Sequence, residues 1–260
     1  MKTFMRSITC QLILLEKLLF LCIVSFLTIF FAYGSFRFAT LQDDSKIMHA
    51  LGAIDAVPYT NSREAFELYL SKGKHHFEVD LALTTDNRVV AYHGKLNISY
   101  REFMAKRILG KYSPLSFDDL LNLMERHKDV VVILDTKDEF SRIFPLLTSE
   151  IREKDPLLQN RIVPQIYQPA DLQVLESTGF IGGAIYTLYK ISSTDDEVLR
   201  FVSQHPQIKA VTMSIYRFSW QLANSLSKLG RRTYVHTVNH PLTIIIFLGL
   251  GAYGIYTDEG

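Results

Sequence analysis

From residue 37 onward, short β-rich runs alternate with helical patterns, and this alternation restricts the fold more than any other feature of the chain. The β-rich runs are residues 46–51, 76–83, 130–135, 161–166, 183–188, 209–214, 233–238 and 253–256. Helical patterns fall between them, at 62–71, 116–126, 139–153, 169–177, 195–204, 219–229 and 241–248. Strands alternating with helices build βα units and a parallel sheet. Eight strands punctuated this regularly predict a (βα)8 TIM barrel rather than an open doubly wound sheet. No low-complexity tract interrupts the pattern, so residues 37–260 are expected to form one domain. No helical pattern follows the eighth strand. The seam between the last and first strands is then covered by residues 37–45, covered by another subunit, or left exposed.

The first 36 residues are of another kind. Between Leu18 and Phe36 there is no charged side chain, and about 20 predominantly apolar residues are what a helix needs to cross a bilayer. Residues 1–36 are therefore expected to be one N-terminal transmembrane helix. Lys2, Arg6 and Lys17 precede the span, which keeps that end cytoplasmic and places the barrel outside, with the membrane as a partner through this helix. The alternative is a signal segment cleaved after Ala32-Tyr33-Gly34, giving a secreted protein, although its apolar run would be unusually long. A second uncharged stretch, 241–257, holds Pro241, Gly249, Gly251 and Gly254 and reads as a buried helix running into a buried strand. Its Gly249-Leu250-Gly251-Ala252-Tyr253-Gly254 matches the dinucleotide-binding pattern in lettering only, since that pattern needs a strand before it.

Charge excludes whole classes of partner. The chain carries 28 Lys plus Arg and 27 Asp plus Glu; removing Lys2, Arg6, Lys17 and Glu16 leaves 25 basic and 26 acidic residues for the barrel. That balance does not suit a nucleic-acid binder. Both cysteines, Cys10 and Cys22, lie in the N-terminal part, so disulfides, thiolate metal sites and cysteine nucleophiles are excluded from residues 37–260.

In a barrel of this kind the working groups stand at the C-terminal ends of strands. Glu78 and Asp80 lie two apart on the second strand and so share a face, where two buried carboxylates repel. Shared protonation or a hard divalent cation would compensate them, unless one is simply paired at the rim. Asp135 and Lys137 share a face in the same way, either as a third oxygen ligand beside an ammonium that meets phosphate, or as a buried ion pair. His49 and His93 follow strand-like runs towards the same rim and titrate in the range that acid and base work at phosphorus requires. His75, His76, His127 and His205 fall at element starts or surfaces and read as structural, whereas His236 and His240 flank the seventh strand and approach the rim.

In order along the chain, these residues resemble the glycerophosphodiester phosphodiesterases, within the wider barrel superfamily that includes phosphatidylinositol-specific phospholipase C. His49-Ala50-Leu51-Gly52 is similar to the family's opening His-Arg-Gly, and Tyr59-Thr60-Asn61-Ser62-Arg63-Glu64-Ala65-Phe66 to its Glu-Asn-Thr-x-x-Ala-Phe segment. Glu78-Val79-Asp80, Thr84-Thr85-Asp86-Asn87 and Val89-Val90-Ala91-Tyr92-His93 resemble its most specific series. Leu134-Asp135-Thr136-Lys137, Thr237-Val238-Asn239 and Thr257-Asp258 resemble later signatures. The resemblance implies a metal-dependent phosphodiesterase with His49 and His93 as the acid/base pair. Glu78, Asp80 and Asp135 would hold one divalent cation, Mg²⁺ or Ca²⁺, and Lys137, Asn61 and Asn239 would bind the phosphodiester substrate. Ala50 stands where the family has arginine, Gly94 where aspartate is frequent, and Asp135 where glutamate is usual, as it does in the related sphingomyelinase D enzymes. Two alternatives are a lipid-headgroup phosphodiesterase of that kind and a catalytically silent, membrane-tethered binding barrel.

Overall fold

The alternation of runs is realised as a closed ring of parallel strands. The computed structural model describes residues 17, 19–25, 28, 43–189 and 192–260. The chain divides into two units, Met1–Leu41 and Gln42–Gly260. Most of the expected membrane anchor at 1–36 lies outside the described residues. Among the described residues, no helix is long and apolar enough to cross a membrane.

In the second unit the strands are β1 (Lys46–Met48), β2 (His76–Leu83), β3 (Val89–Ala91), β4 (Val131–Thr136), β5 (Ile162–Ile166), β6 (Ala184–Thr187), β7 (Ile208–Ser214), β8 (Arg232–His236) and β9 (Gly254–Thr257). Their order is β1-β9-β8-β7-β6-β5-β4-β2, with β1 also paired to β2, so eight parallel strands close into the expected barrel. β3 is an addition, running antiparallel to β2 with Ala91 opposite Leu81. Around the ring lie α1 (Arg63–Ser71), α2 (Tyr100–Ala105), α3 (Phe117–Arg126), α4 (Phe140–Lys154), α5 (Pro169–Ser177), α6 (Asp195–Gln204), α7 (Trp220–Lys228) and α8 (Pro241–Gly249). Helix starts follow side-chain capping: Ser62, Ser116 and Ser219 each accept from a backbone N–H three residues on, which satisfies a donor the helix cannot. The short α2 was not legible from periodicity, yet Ser99 and Glu102 form a complete capping box at its start.

Alternation along the strands makes two separate apolar layers. The outer one packs strand against helix, as where Phe66 of α1 meets Phe77 of β2 at 4.6 Å between ring centres. The inner one consists of Ile47, Ile133, Ile185, Ala210, Tyr234 and Tyr256. Two residues further along the chain from the first five of these stand His49, Asp135, Thr187, Thr212 and His236. Side chains two apart share a face of a strand, so above an apolar floor the same faces turn polar towards the C-terminal mouth. That change of chemistry positions the site.

The seam is closed locally. Residues 258–260 run on from β9 to meet the loop after β1, where the Ala53 N–H donates to the Asp258 carbonyl at 2.8 Å. Tyr69 of α1, almost fully buried, donates through its hydroxyl to the carbonyls of Ala53 and Asp258. Asp44, just before β1, accepts from the Tyr253 hydroxyl at 2.6 Å and pairs with Arg232, so residues 43–45 pack at the N-terminal ends of β8 and β9. The Gly249–Gly254 stretch joins α8 to β9, the reverse of the strand-then-helix order that dinucleotide binding demands.

Candidate active site

The centre of the site is a pair of neighbouring strands. On β2 and β4, Asp80 lies directly opposite Asp135 in the ladder, with Glu78 two residues before Asp80 on the same face. Glu78, Asp80 and Asp135 are buried, and each offers a carboxylate oxygen within 4.8 Å of the others. The expectation of two carboxylates on one face of a strand thus holds, and a third joins them across the ladder.

Each carboxylate has a holder supplied by a loop. After β1 the chain makes a tight turn in which Ala50, Leu51 and Gly52 all have positive φ, and this aims the Ala50 N–H at Glu78 Oε2, 2.7 Å away. Asn61, also left-handed and fully buried, clamps Asp80 at both ends of its amide: Nδ2 donates to Oδ2 at 2.7 Å, and Oδ1 accepts from the Asp80 N–H at 3.0 Å. The Tyr167 hydroxyl, just past β5, donates to Asp135 Oδ1 at 2.7 Å. Lys137 reaches Asp80 Oδ1 and Asp135 Oδ2, each at 2.6 Å, although the contact with Asp80 falls outside hydrogen-bond geometry.

The two histidines flank this group. The β2–β3 hairpin folds the chain back so that His93 stands beside Asp80, with Nδ1 3.1 Å from Oδ2. His49 Nδ1 lies 2.8 Å from Asp258 Oδ1, and Asn239 donates to the other oxygen of Asp258 at 2.7 Å. Tyr59 sits between the two imidazoles, 4.8 Å from His49 and 4.4 Å from His93 between ring centres. With each Nδ1 engaged by a carboxylate, Nε2 of both rings is left for a ligand. His49, His93, Glu78, Asp135 and Lys137 line one cavity of about 620 Å³.

Electrostatics separate the groups. Burial, and after it the charge of Asp80, pushes the Glu78 carboxyl well above the usual carboxylate range. Asp80 is equally buried, but His93, Lys137 and Asn61 outweigh burial and hold it low. Burial would lower the Lys137 ammonium, yet Asp135, Asp80 and Glu78 push it up. The His49 imidazole follows the same logic: burial opposes its charge, but the hydrogen bond to Asp258 and the nearby carboxylates raise it.

Among the described residues, the three buried carboxylates share one close ammonium, that of Lys137, and the deficit falls on Glu78. Hard oxygen donors in such a cluster suit Mg²⁺ or Ca²⁺, so the donor set fits a divalent cation held by Glu78, Asp80 and Asp135. The eight residues singled out from the sequence separate by task. His49, His93, Glu78, Asp135 and Lys137 face the cavity. Asp80, Asn61 and Asn239 are not among its lining residues; the Asn61 amide holds Asp80 and the Asn239 amide holds Asp258. Asp258 and Tyr167 carry roles that periodicity did not reveal, and the available signal was position: a carboxylate or hydroxyl just past a barrel strand. His75 lies against Asp129 and His205 against the Phe201 carbonyl.

No family model matches the chain, and no curated protein matches it by sequence. Solved structures do match its fold. A phosphodiesterase from Oleispira antarctica, crystallised with the product sn-glycerol-3-phosphate, is 13% identical over 85% of this chain and 94% of its own, with a TM-score of 0.69. A glycerophosphodiester phosphodiesterase from Parabacteroides distasonis is 15% identical over 82% and 92%, at 0.66, and one from Agrobacterium tumefaciens 13% identical over 83% and 96%, at 0.62. The chain therefore has the barrel fold that glycerophosphodiester phosphodiesterases have.

Proposed function

We propose that this chain is a metal-dependent phosphoric diester hydrolase acting on glycerophosphodiester-type substrates. The observation that carries the reading is a cluster of three buried carboxylates, two of which line a single cavity together with two imidazoles and one lysine, in a barrel like those just described. Glu78, Asp80 and Asp135 would hold the cation, which when bound supplies positive charge against the negative charge that builds on the phosphoryl oxygens. Lys137, already at the edge of this group, adds an ammonium on the same side.

The histidines divide the proton work. His49, whose charged form is favoured by Asp258, is suited to give a proton from Nε2 to the departing alcohol oxygen. His93, oriented by Asp80, accepts through Nε2 the proton of the attacking hydroxyl or water. Tyr59 packs between the two rings.

A second reading has its own support. Tyr189 and Tyr216 line the cavity and are 61% and 93% exposed, and Trp220 nearby in sequence is 56% exposed. Exposed aromatics at a mouth suit an apolar or interfacial alcohol, as in a lipid headgroup phosphodiesterase. The test is a panel of water-soluble and micellar glycerophosphodiesters, assayed with chelator and then with Mg²⁺ or Ca²⁺ restored. Metal-restored release of alcohol and phosphomonoester is expected, and the preferred member of the panel separates the two readings. No release from any diester with either ion refutes both.

A further inference from the structure

The loop that joins β1 to α1 is pinned to both sides of the site. At its start the Ala53 N–H donates to the carbonyl of Asp258, the residue that meets His49, at 2.8 Å. At its end Asn61 clamps Asp80, the residue that meets His93. Between these anchors the backbones of Ile54 and Val57 exchange hydrogen bonds of 3.1 and 2.9 Å, and Asp55 accepts from the Tyr112 hydroxyl at 2.7 Å. The same stretch holds four non-glycine residues in the left-handed region, namely Asp55, Ala56, Tyr59 and Asn61. Asp and Asn enter that region readily, whereas a bulky side chain there, such as Tyr59 with φ of 61°, is an outlier. Such a conformation persists only where the surrounding structure over-determines it, and it concentrates at functional sites.

The strained backbone secures the place of one ring. Tyr59 lines the cavity, is 44% exposed, and stands edge-on to His49 at 84° and tilted to His93 at 47°. Among the described residues it is the only aromatic neighbour of either imidazole. Each imidazole has one further anchor in the carboxylate at its Nδ1. A single hydrogen bond fixes one atom of a ring, about which the plane still turns; a second contact against the face or edge is needed to fix the plane. The need is greatest at His93, whose side chain is 48% exposed.

We propose that Tyr59 is a positioning residue: one ring, held by a strained loop, fixes the planes of both imidazoles so that their Nε2 atoms are presented together to one ligand. The role rests on the phosphodiesterase reading for what those atoms do, but the orientation is measured without turnover. Order parameters of the imidazole Cε1–H bonds are obtained by NMR relaxation on the full chain labelled with ¹³C-histidine, with Ca²⁺ present. The signals are assigned by their loss in His49→Ala and His93→Ala. Tyr59→Gly removes the ring and suits a left-handed backbone, while Tyr59→Phe keeps the ring. Both imidazoles should become more mobile in Tyr59→Gly and stay as in wild type in Tyr59→Phe. On a water-soluble glycerophosphodiester, Tyr59→Gly should lose about tenfold or more in kcat, the effect of misplaced reacting groups, with KM within about twofold of wild type. Tyr59→Phe should recover most of that loss.

Imidazoles as rigid in Tyr59→Gly as in wild type overturn the role, and so does an unchanged kcat or a Tyr59→Phe as slow as Tyr59→Gly. Calorimetry of Ca²⁺ binding separates ring from loop: a Tyr59→Gly chain that binds Ca²⁺ as wild type does keeps the Asn61–Asp80 clamp, whereas lost affinity assigns the effect to the loop and overturns the role of the ring. Circular dichroism checks the fold, and Tyr59→Ala replaces Tyr59→Gly if the latter does not fold. Diester hydrolysis with unmoved imidazoles sinks this inference alone. Imidazoles freed in Tyr59→Gly, in a protein whose wild type hydrolyses no diester, keep the shared orientation and sink the reaction.

Discussion

Asp258→Asn is the most informative single substitution, because it removes one charge and almost no volume. The His49–Asp258 contact is 2.8 Å long and its side chains are only 13% and 11% exposed, so solvent screens it little. A hydrogen bond between charged groups contributes about 1.5–3 kcal/mol. Its dependence on pH follows from the two partners. His49 is raised above its ordinary 6.5, so its contribution is fully present below 6.5 and is lost as pH rises through the raised value. Asp258 is lowered below its ordinary 3.8, with the hydrogen bonds from His49 and Asn239 outweighing burial, so its contribution is present above 3.8 and is lost as pH falls through the lowered value. The stability gap between wild type and Asp258→Asn should therefore be widest between pH 3.8 and 6.5, at about 1.5–3 kcal/mol, and should narrow above it. Urea unfolding followed by circular dichroism, in chelator across a pH series, measures that gap. A gap that is flat with pH, or widest in the alkaline range, would show that Asp258 does not hold a charged His49.

Three other outcomes are expected. His49→Ala and His93→Ala should each lower turnover by roughly 10²-fold or more, while calorimetry shows divalent-cation binding nearly unchanged; full activity in either removes that histidine from the mechanism. Asp80→Asn should move the Mg²⁺ or Ca²⁺ titration to higher concentration, and an unshifted curve would contradict its place among the ligands. Gly52→Ala should destabilise the turn that carries His49, since Gly52 has φ of 91° and a Cβ there would collide with the Tyr69 ring; a thermal midpoint and turnover equal to wild type would show that the turn adapts.

Much of this architecture was legible because it depends on local periodicity. The eight parallel strands, the helices between them and the pairing of Glu78 with Asp80 all follow from side-chain spacing of two or about 3.6 residues, a property each segment carries by itself. The three-residue β3 and six-residue α2 escaped, being too short to show a period. His93 was found as a residue after an apolar run, but the hairpin that swings it onto Asp80 is set by the pairing of Leu81 with Ala91. Asn61 and Asn239 were singled out as substrate-binding residues, and their amides hold Asp80 and Asp258; sequence does not say whether an amide faces a cavity or the carboxylate beside it.

The sequence by itself determined the barrel, the apolar floor with a polar layer above it, and the identity of the groups that reach the mouth, since all three come from alternation along single strands. Tertiary structure alone decided the partners. Asp258 meets His49 across 209 residues because β9 closes against β1, and Lys137 bridges Asp80 and Asp135 because β2 and β4 pair in that register. Charges and hydrogen bonds act over a few ångströms of space whatever the separation along the chain, so which carboxylate is held low and which is pushed up were settled only when the ring closed.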